Sequence, residues 1–468
     1  MIDKKMDYEN YDIAEEIEES EEKIFELLEE KKYFQCRDEL LKYNEVDIAE
    51  ILEEVIDKFD VSKAVMLFRT LPKDISVNVF AYLDSDVQLE VIDVITDPEL
   101  QYIIDELDFD DMIDVLEELP ANLVDKILEK TPKDERKLIN TFLKYNEDSA
   151  GSLMTPDYIN LRKSWTAKEA LEHIKEVGMD SETIYTCYVL DVGRKLIGIV
   201  SLRSLVIAND STRVADIMRE DFIFAHVDDD QEELSEKFKK YGYLAIPVVD
   251  NEGRLVGIVT VDDILDVIEE ETTEDMERMG GVIDNNDRDY LDMSVWAHVK
   301  ARLPWLLLLM CSYFITGGII SGFEDALSAV IVLVTYMPML MGTGGNSGTQ
   351  ASTVIIRGMA TGELELEDCL LVCWKEFRIG LVIGLVLSAI NYLRIVYIDH
   401  ESPMVALTVC CAMVLVVIVA KLIGSLLPML AKKIGWDPAL MSGPMMASIT
   451  DMISLGTYFT MAGLFLGI

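Results

Sequence analysis

Positive charge is scarce in this chain of 468 residues, where 41 Lys and Arg stand against 86 Asp and Glu for a formal net charge of −45. A nucleic-acid-binding surface needs a basic footprint, so that class of partner is excluded. Histidine is nearly absent: His173, His226, His298 and His400 are the whole supply, and all fall outside the long apolar runs. No GxxxxGK[ST] phosphate loop occurs, which excludes a primary pump built on that motif. The seven cysteines (Cys36, Cys187, Cys311, Cys369, Cys373, Cys410 and Cys411) are scattered and form no CxxC pair or Cys/His ligand set. They read as reduced and structural. Met1 to Lys23 is charged and lacks an apolar h-region, so no secretory signal is expected and the acidic part of the chain is expected in the cytosol.

Apolar residues, by contrast, make up 50% of the chain, and its mean hydropathy is positive. The two properties separate along the sequence. Residues 301–468 hold 11 acids and 8 bases, so nearly the whole charge deficit lies before them. An acidic half is therefore joined to a nearly neutral hydrophobic half, and length suggests about three domains. Five segments, 303–323, 326–356, 379–398, 402–431 and 438–468, each supply the roughly 20 mostly apolar residues a membrane crossing needs. Arg302, the trio Arg357, Lys375 and Arg378, and Lys432-Lys433 fall in connections on one side. By the distribution of basic residues that side is cytosolic, with the N-terminus inside and the C-terminus outside.

Asp451 is a lone carboxylate inside the last apolar run. With Asp437 as a helix cap and Pro438 at the first helical position, it is expected roughly 20 Å along the helix, deep in the bilayer. A charge there costs roughly 2.5–3.5 kcal/mol, which points to a water-filled cavity and an ion path; a protonated or hydrogen-bonded structural Asp is the alternative. Ser442-Gly443-Pro444 is read as a break that frees backbone carbonyls. In the second run, Pro338 and Gly344-Gly345-Asn346-Ser347-Gly348-Thr349-Gln350 are expected to interrupt the helix and to offer oxygen ligands to a hydrated cation, with Gly344, Gly345, Asn346, Thr349, Gln350, Gly443 and Pro444 lining the path. A helix-packing glycine motif is the alternative for this run.

In the acidic half, residues 151–270 repeat internally. Leu196-Ile197-Gly198-Ile199-Val200-Ser201 recurs as Leu255-Val256-Gly257-Ile258-Val259-Thr260, each preceded by a helix (Ala167 to Val177, Gln231 to Tyr241) and an apolar strand. This resembles a tandem pair of CBS domains, which often bind adenine nucleotides. The run from Gly257 to Asp263 is similar to the family's ribose-contacting corner, which implies one site at most, on Thr260 and Asp263; whether ATP binds stays open. Upstream, residues 24–145 carry helical periodicity punctuated by Leu71-Pro72 and Leu119-Pro120, read as repeated helix pairs in a small superhelix. The expected organisation is an acidic disordered tail (1–22), a helical domain (23–148), two CBS copies (149–210 and 211–271), a connecting helix (272–301) and a membrane domain (302–468). The fold class is thus a multidomain integral membrane protein: an all-α superhelical domain, an α/β CBS pair, a connecting plug helix and five transmembrane helices. On a helix Glu271, Glu274 and Asp275 share a face that repels itself unless divalent cations neutralise it.

This order of parts, with the run Pro338 to Arg357 and Asp437-Pro438-Ala439-Leu440 leading to Asp451, resembles the MgtE family of magnesium channels. The resemblance implies a homodimer in the cytoplasmic membrane with a pore on the two-fold axis, Asp451 of each copy holding a hydrated Mg²⁺, and Asp437 as a secondary site. It further implies import of Mg²⁺ and closure by cytosolic Mg²⁺ on sensor residues Asp110, Asp114, Asp263, Asp266, Glu271, Glu274 and Asp275. Asn78 and Gly242 stand where that pattern would have acids. The chain reads as a transporter and not an enzyme, because a membrane aspartyl protease would need a second membrane aspartate. A transporter selective for Mn²⁺, Co²⁺ or Ni²⁺, and a membrane metal sensor without transport, remain open alternatives, since oxygen ligands accept several ions.

Overall fold

The computed structural model describes residues 22–146, 148–283, 290, 293–323 and 330–466. Nearly all of the acidic tail expected over residues 1–22 lies outside the described residues, as do the edges of the second and fifth expected spans. The chain divides into two compact units, one ending at Ile268 and one beginning at Glu269.

The first unit opens, among the described residues, with ten short helices: α1 (22–29), α2 (Tyr33–Leu40), α3 (Glu45–Lys58), α4 (Val61–Phe68), α5 (Lys73–Ala81), α6 (Ser85–Val94), α7 (Asp97–Glu106), α8 (Phe109–Glu118), α9 (Ala121–Lys130) and α10 (Lys133–Phe142). Local chemistry sets their starts. Asn44 and Asp60 accept hydrogen bonds from the amides of Asp47 and Lys63 at 2.9 and 3.0 Å, opening α3 and α4. Thr96 and Glu99 close a capping box on α7. Both Leu-Pro pairs mark helix starts, because Pro72 and Pro120 stand just before α5 and α9, where the missing N–H is not needed. The apolar faces meet in a core that includes Leu52, Leu67, Phe80, Ile113 and Phe142, and the same core runs on through Met154 of the first repeat's entry segment into the second repeat at Phe238, Ile246 and Val259.

The repeats fold alike. The first comprises β1 (Tyr158–Arg162), α11 (Ala167–Val177), β2 (Thr183–Leu190), β3 (Leu196–Ser201) and α12 (Leu202–Ile207); the second comprises α13 (Val214–Ile217), β4 (Ala225–His226), α14 (Gln231–Tyr241), β5 (Ala245–Val249), β6 (Leu255–Thr260) and the start of α15 (Val261–Gly280). Each three-stranded sheet pairs its first two strands parallel and its last two antiparallel. The entry segments are exchanged: Thr155 of the first copy bridges Ile258 of β6, and Arg219 of the second bridges Ile199 of β3. The shared glycine of the repeat permits this. A Cβ on Gly257 would lie 2.7 Å from the carbonyl oxygen of Thr155, and one on Gly198 would lie 3.1 Å from that of Arg219.

The second unit holds the end of α15 and five long helices: α16 (Val295–Gly322), α17 (Val332–Ala360), α18 (Cys369–Tyr397), α19 (Pro403–Ile434) and α20 (Gly443–Leu466). Four helical segments, Val295–Gly322, Leu366–Tyr397, Pro403–Ile434 and Ala439–Leu466, are long and apolar enough to cross a membrane; α17 matches them in length at 29 residues but carries the polar glycine run. The central helix is α19, which packs on α17, α18 and α20.

Two expectations change here. The run from Pro338 to Gln350 is not interrupted: it lies within the continuous helix α17, Pro338 included. Its glycines allow close approach instead. A Cβ on Gly344 would lie 2.5 Å from Ser454 Oγ and 3.0 Å from a Val416 methyl, one on Gly348 would lie 2.9 Å from Met446 Cε, and one on Gly424 would strike the Gly348 carbonyl. A helix keeps its own backbone polar groups satisfied in hydrocarbon, and small residues then let helices touch. The last helix also starts later than expected. A 3₁₀ turn at Ala439–Met441 ends at Ser442, Gly443 takes φ 43°, and α20 begins there. Asp451 is therefore about 12 Å along its helix rather than about 20 Å.

The crossing glycines give a direct expectation. Gly257→Val should destabilise the first unit by about 1–3 kcal/mol through the clash with Thr155, read as a lower melting temperature of the full chain; an unchanged melt would show that the crossing yields freely.

Candidate ion path and acidic clusters

On α17 the residues Gly344, Gly345, Ser347 and Gly348 are buried, whereas Gly342, Asn346, Gln350, Thr353 and Arg357 are exposed. Spacings of three and four residues place the exposed set on one helical face. Asn, Gln, Thr and Arg against lipid are costly, so this stripe calls for water or protein. Thr349 is half-buried beside it. On α20, Thr450 packs against Gly348 and Ala447 against Gly345, so Asp451 stands next to the α17–α20 seam at the level of the glycine run. The seam is fixed by Ser352 Oγ, which donates to the Met441 carbonyl at 3.0 Å, and by Tyr458, whose hydroxyl donates to the Leu333 carbonyl at 3.0 Å. Asp451 is half-buried, and among the described residues its carboxylate has no hydrogen-bond or ion-pair partner. Gly443 and Pro444, also half-buried, form the break at the start of α20.

Asp437 lies just before that break. Its Oδ1 accepts the Ala439 amide at 2.7 Å and its Oδ2 accepts a guanidinium N–H of Arg278 at 2.6 Å. Arg278 also pairs with Glu274 one turn back on α15. Asp275 is raised above the usual carboxylate range by burial first, then by the negative charges of Asp437 and Glu271. A cavity of about 260 Å³ opens among Glu274, Glu277, Arg278, Val282 and Asp437. The structure thus gathers Glu274, Asp275 and Asp437, with Glu271 one turn away.

A separate cluster forms in the first unit. Asp110 and Asp111 begin α8, and Asp262 and Asp263 begin α15, where helix N-termini favour negative charge. Burial outweighs that help. It pushes Asp110 up to about 8, with Asp263, Glu182 and Asp111 adding repulsion. Glu182 rises to about 7 and Asp111 to about 6, each mainly by burial and then by Asp108 and Asp263 among others. Asp263 is raised too, by burial first, although hydrogen bonds from Thr260 oppose the shift. Asp114 and Asp266 are exposed, each one turn along from Asp110 and Asp263. Among the described residues no three His, Cys, Asp or Glu side chains converge tightly enough to hold a bare metal ion. Hydrated Mg²⁺ asks for less, keeping several waters and using one or two carboxylates.

The expected nucleotide pair, Thr260 and Asp263, meets at the start of α15. Thr260 is buried, and its hydroxyl donates to Asp263 Oδ2 at 2.6 Å, capping α15. A cavity of about 200 Å³ opens between the two CBS copies, bordered by Thr186, Ser201 and Ser204 of the first and by Arg219, Tyr243 and Pro247 of the second.

Residues 337–461 match the family described as "MgtE: Divalent cation transporter", 43–148 match "MgtE intracellular N domain", and 150–210 and 214–270 match CBS domains. A "Magnesium transporter MgtE" of Thermus thermophilus is 42% identical over 331 residues, 71% of this chain and 73% of that protein. The chain belongs to the MgtE family. A second magnesium transporter MgtE, of Enterococcus faecalis, is 34% identical over 71% of this chain and 72% of its own length. Among solved structures, the cytosolic domain of the Mg²⁺ channel MgtE in complex with ATP aligns at TM-score 0.49 and 34% identity, covering 52% of this chain and 98% of that one.

Within this MgtE chain the two departures from the acidic pattern have different settings. Gly242 ends α14 in the left-handed region at φ 65°, where an acidic side chain would be strained. Asn78 is an exposed residue of α5, and nothing in the structure explains it. Sequence reasoning passed over Glu182, which stands between α11 and β2 with no motif around it, and Glu376, which precedes the third expected span. Glu376 lies in α18, with Oε2 3.7 Å from Nζ of buried Lys421 on α19. Arg278 was also missed, although it is the sole base on α15 and follows Glu274 by four residues.

A pH dependence follows from the raised acids. Their folded-state values lie above the unfolded ones near 4, so the native state binds more protons across that interval and stability falls as pH rises from about 4 through about 8. Without divalent cations the melting temperature should drop by on the order of 5 °C over this range, and Asp110→Asn should remove the largest part of the drop. A flat profile in thermal melts across this range would contradict it.

Proposed function

We propose that this chain carries Mg²⁺ into the cytosol through a path lined by the polar stripe of α17 and by Asp451, working as a homodimer in the cytoplasmic membrane with its N-terminus inside and C-terminus outside. The observation that carries this reading is an unpartnered carboxylate beside a polar membrane-helix face, in a family whose Thermus thermophilus and Enterococcus faecalis members are magnesium transporters. Mg²⁺ releases water reluctantly, so a site with few carboxylates and amide or hydroxyl oxygens suits the hydrated ion. A two-fold axis along the path would supply a second Asp451. Arg357, Lys375, Arg378, Lys432 and Lys433 cluster at the helix ends and loops assigned to the inner side, which supports the orientation.

The acidic clusters supply regulation in this reading. Mg²⁺ held by Asp110, Asp114, Asp263 and Asp266, and by Glu271, Glu274, Asp275 and Asp437, favours the closed state; without it carboxylate repulsion favours opening. ATP is the proposed second ligand, at the CBS cavity that Arg219 borders.

In proteoliposomes Asp451→Asn should abolish Mg²⁺ uptake, a loss of at least tenfold, while leaving the melt intact. Uptake at the unaltered rate would remove Asp451 from the path. Glu274→Gln combined with Asp275→Asn should weaken closure by Mg²⁺ in patch recordings without changing open-pore selectivity, and closure at unchanged Mg²⁺ would sink the sensor assignment.

A further inference from the structure

Residues 261–280 contain nine Asp and Glu and a single base, Arg278. That one cation is not left at the surface. It reaches the turn before α20, where its guanidinium donates to Asp437 Oδ2 at 2.6 Å while also pairing with Glu274. The other oxygen of Asp437, Oδ1, is taken by the Ala439 amide at 2.7 Å. Both Asp437 oxygens are therefore engaged within the chain, and the adjoining cavity of about 260 Å³ is bordered by the same Glu274, Arg278 and Asp437. A cation entering this cavity meets carboxylates already bridged by a positive group.

We propose that Arg278 is a tethered competitor for the divalent cation at Asp437 and Glu274, holding both carboxylates when the ion is absent and yielding them when it binds. The inference rests on the reading of those two acids as a cation site. The guanidinium carries one charge and fits the carboxylates by its planar fork, whereas Mg²⁺ carries two and demands octahedral oxygens. Neither satisfies the pair in the other's geometry, so occupancy is an exchange. Arg278 then sets the Mg²⁺ concentration at which the site fills.

The test uses the full-length protein with Arg278→Gln, Arg278→Lys, Asp437→Asn and the Gln/Asn double variant. In EDTA, thermal melts should show Arg278→Gln and Asp437→Asn each lowering the midpoint by a few degrees, with the double variant little worse than either alone. Strict additivity would overturn the ion pair. In patch recordings, Arg278→Gln should close at Mg²⁺ concentrations on the order of threefold to fivefold lower than the parent, matching removal of one partly exposed ion pair. Arg278→Lys, which keeps the charge, should fall between them and guards against a Gln variant that misfolds. An unchanged or raised closing concentration in both variants overturns the competition. Closure unaffected by Asp437→Asn would instead overturn the reading of Asp437 as a cation site, while the EDTA melts still judge the ion pair by itself.

Discussion

Burying carboxylates beside one another raises the free energy of their charged forms twice, once by desolvation and once by mutual repulsion. Asp110, Asp111, Glu182 and Asp263 experience both, and Asp110 is pushed up to about 8. The helix N-termini of α8 and α15 recover part of that cost but not most of it. In the proposed function this cluster is the sensor, because a bound cation would offset the repulsion that opposes the compact arrangement. The same constraint recurs in the second unit, where Asp275 is raised beside Asp437 and Glu271, and where Arg278 supplies the missing positive charge from within the chain.

In the membrane helices the governing constraint is the reverse, since polar groups must be kept from hydrocarbon. Buried glycines on α17 and Gly424 on α19 bring helix axes close enough that the polar residues of the same run project from the opposite face. One short stretch therefore does two jobs, packing on one side and presenting amide and hydroxyl groups on the other. Lys421 and Glu376 solve the problem differently, by pairing inside the α18–α19 interface. Replacing one partner alone would leave a buried charge uncompensated, at a cost of about 3–5 kcal/mol.

The CBS pair shows how a sequence repeat becomes a joint structure. Each copy lends its entry segment to the other's sheet, and the two glycines at the crossings leave no room for a side chain. The second copy shares its core with the helical domain, so Asp110 on α8 and Asp263 on α15 are held by one continuous apolar interior. That shared core is what keeps repelling carboxylates near each other.

Much of this was legible in the chain. The charge division, the helix starts at Leu-Pro pairs, the repeated Leu-x-Gly-Ile-Val strand and the solitary Asp451 all depend on local composition or periodicity, which sequence records directly. The glycine run in α17 was misread as a break, because glycine and proline signal both interruption and close packing, and only the neighbours Ser454, Met446 and Gly424 decide between them. Thr260 and Asp263 resemble a ligand-binding corner, and their spacing also suits the helix cap that they form. Glu182, Glu376 and Arg278 carry no pattern of their own. Sequence by itself determined which segments are apolar, which are acidic and where each helix can begin, since these follow from residues adjacent along the chain. Tertiary structure alone decided which acids meet, which lysine faces which glutamate and that Arg278 reaches Asp437 across 159 residues, because electrostatic partners are chosen by distance in space and not by separation in sequence.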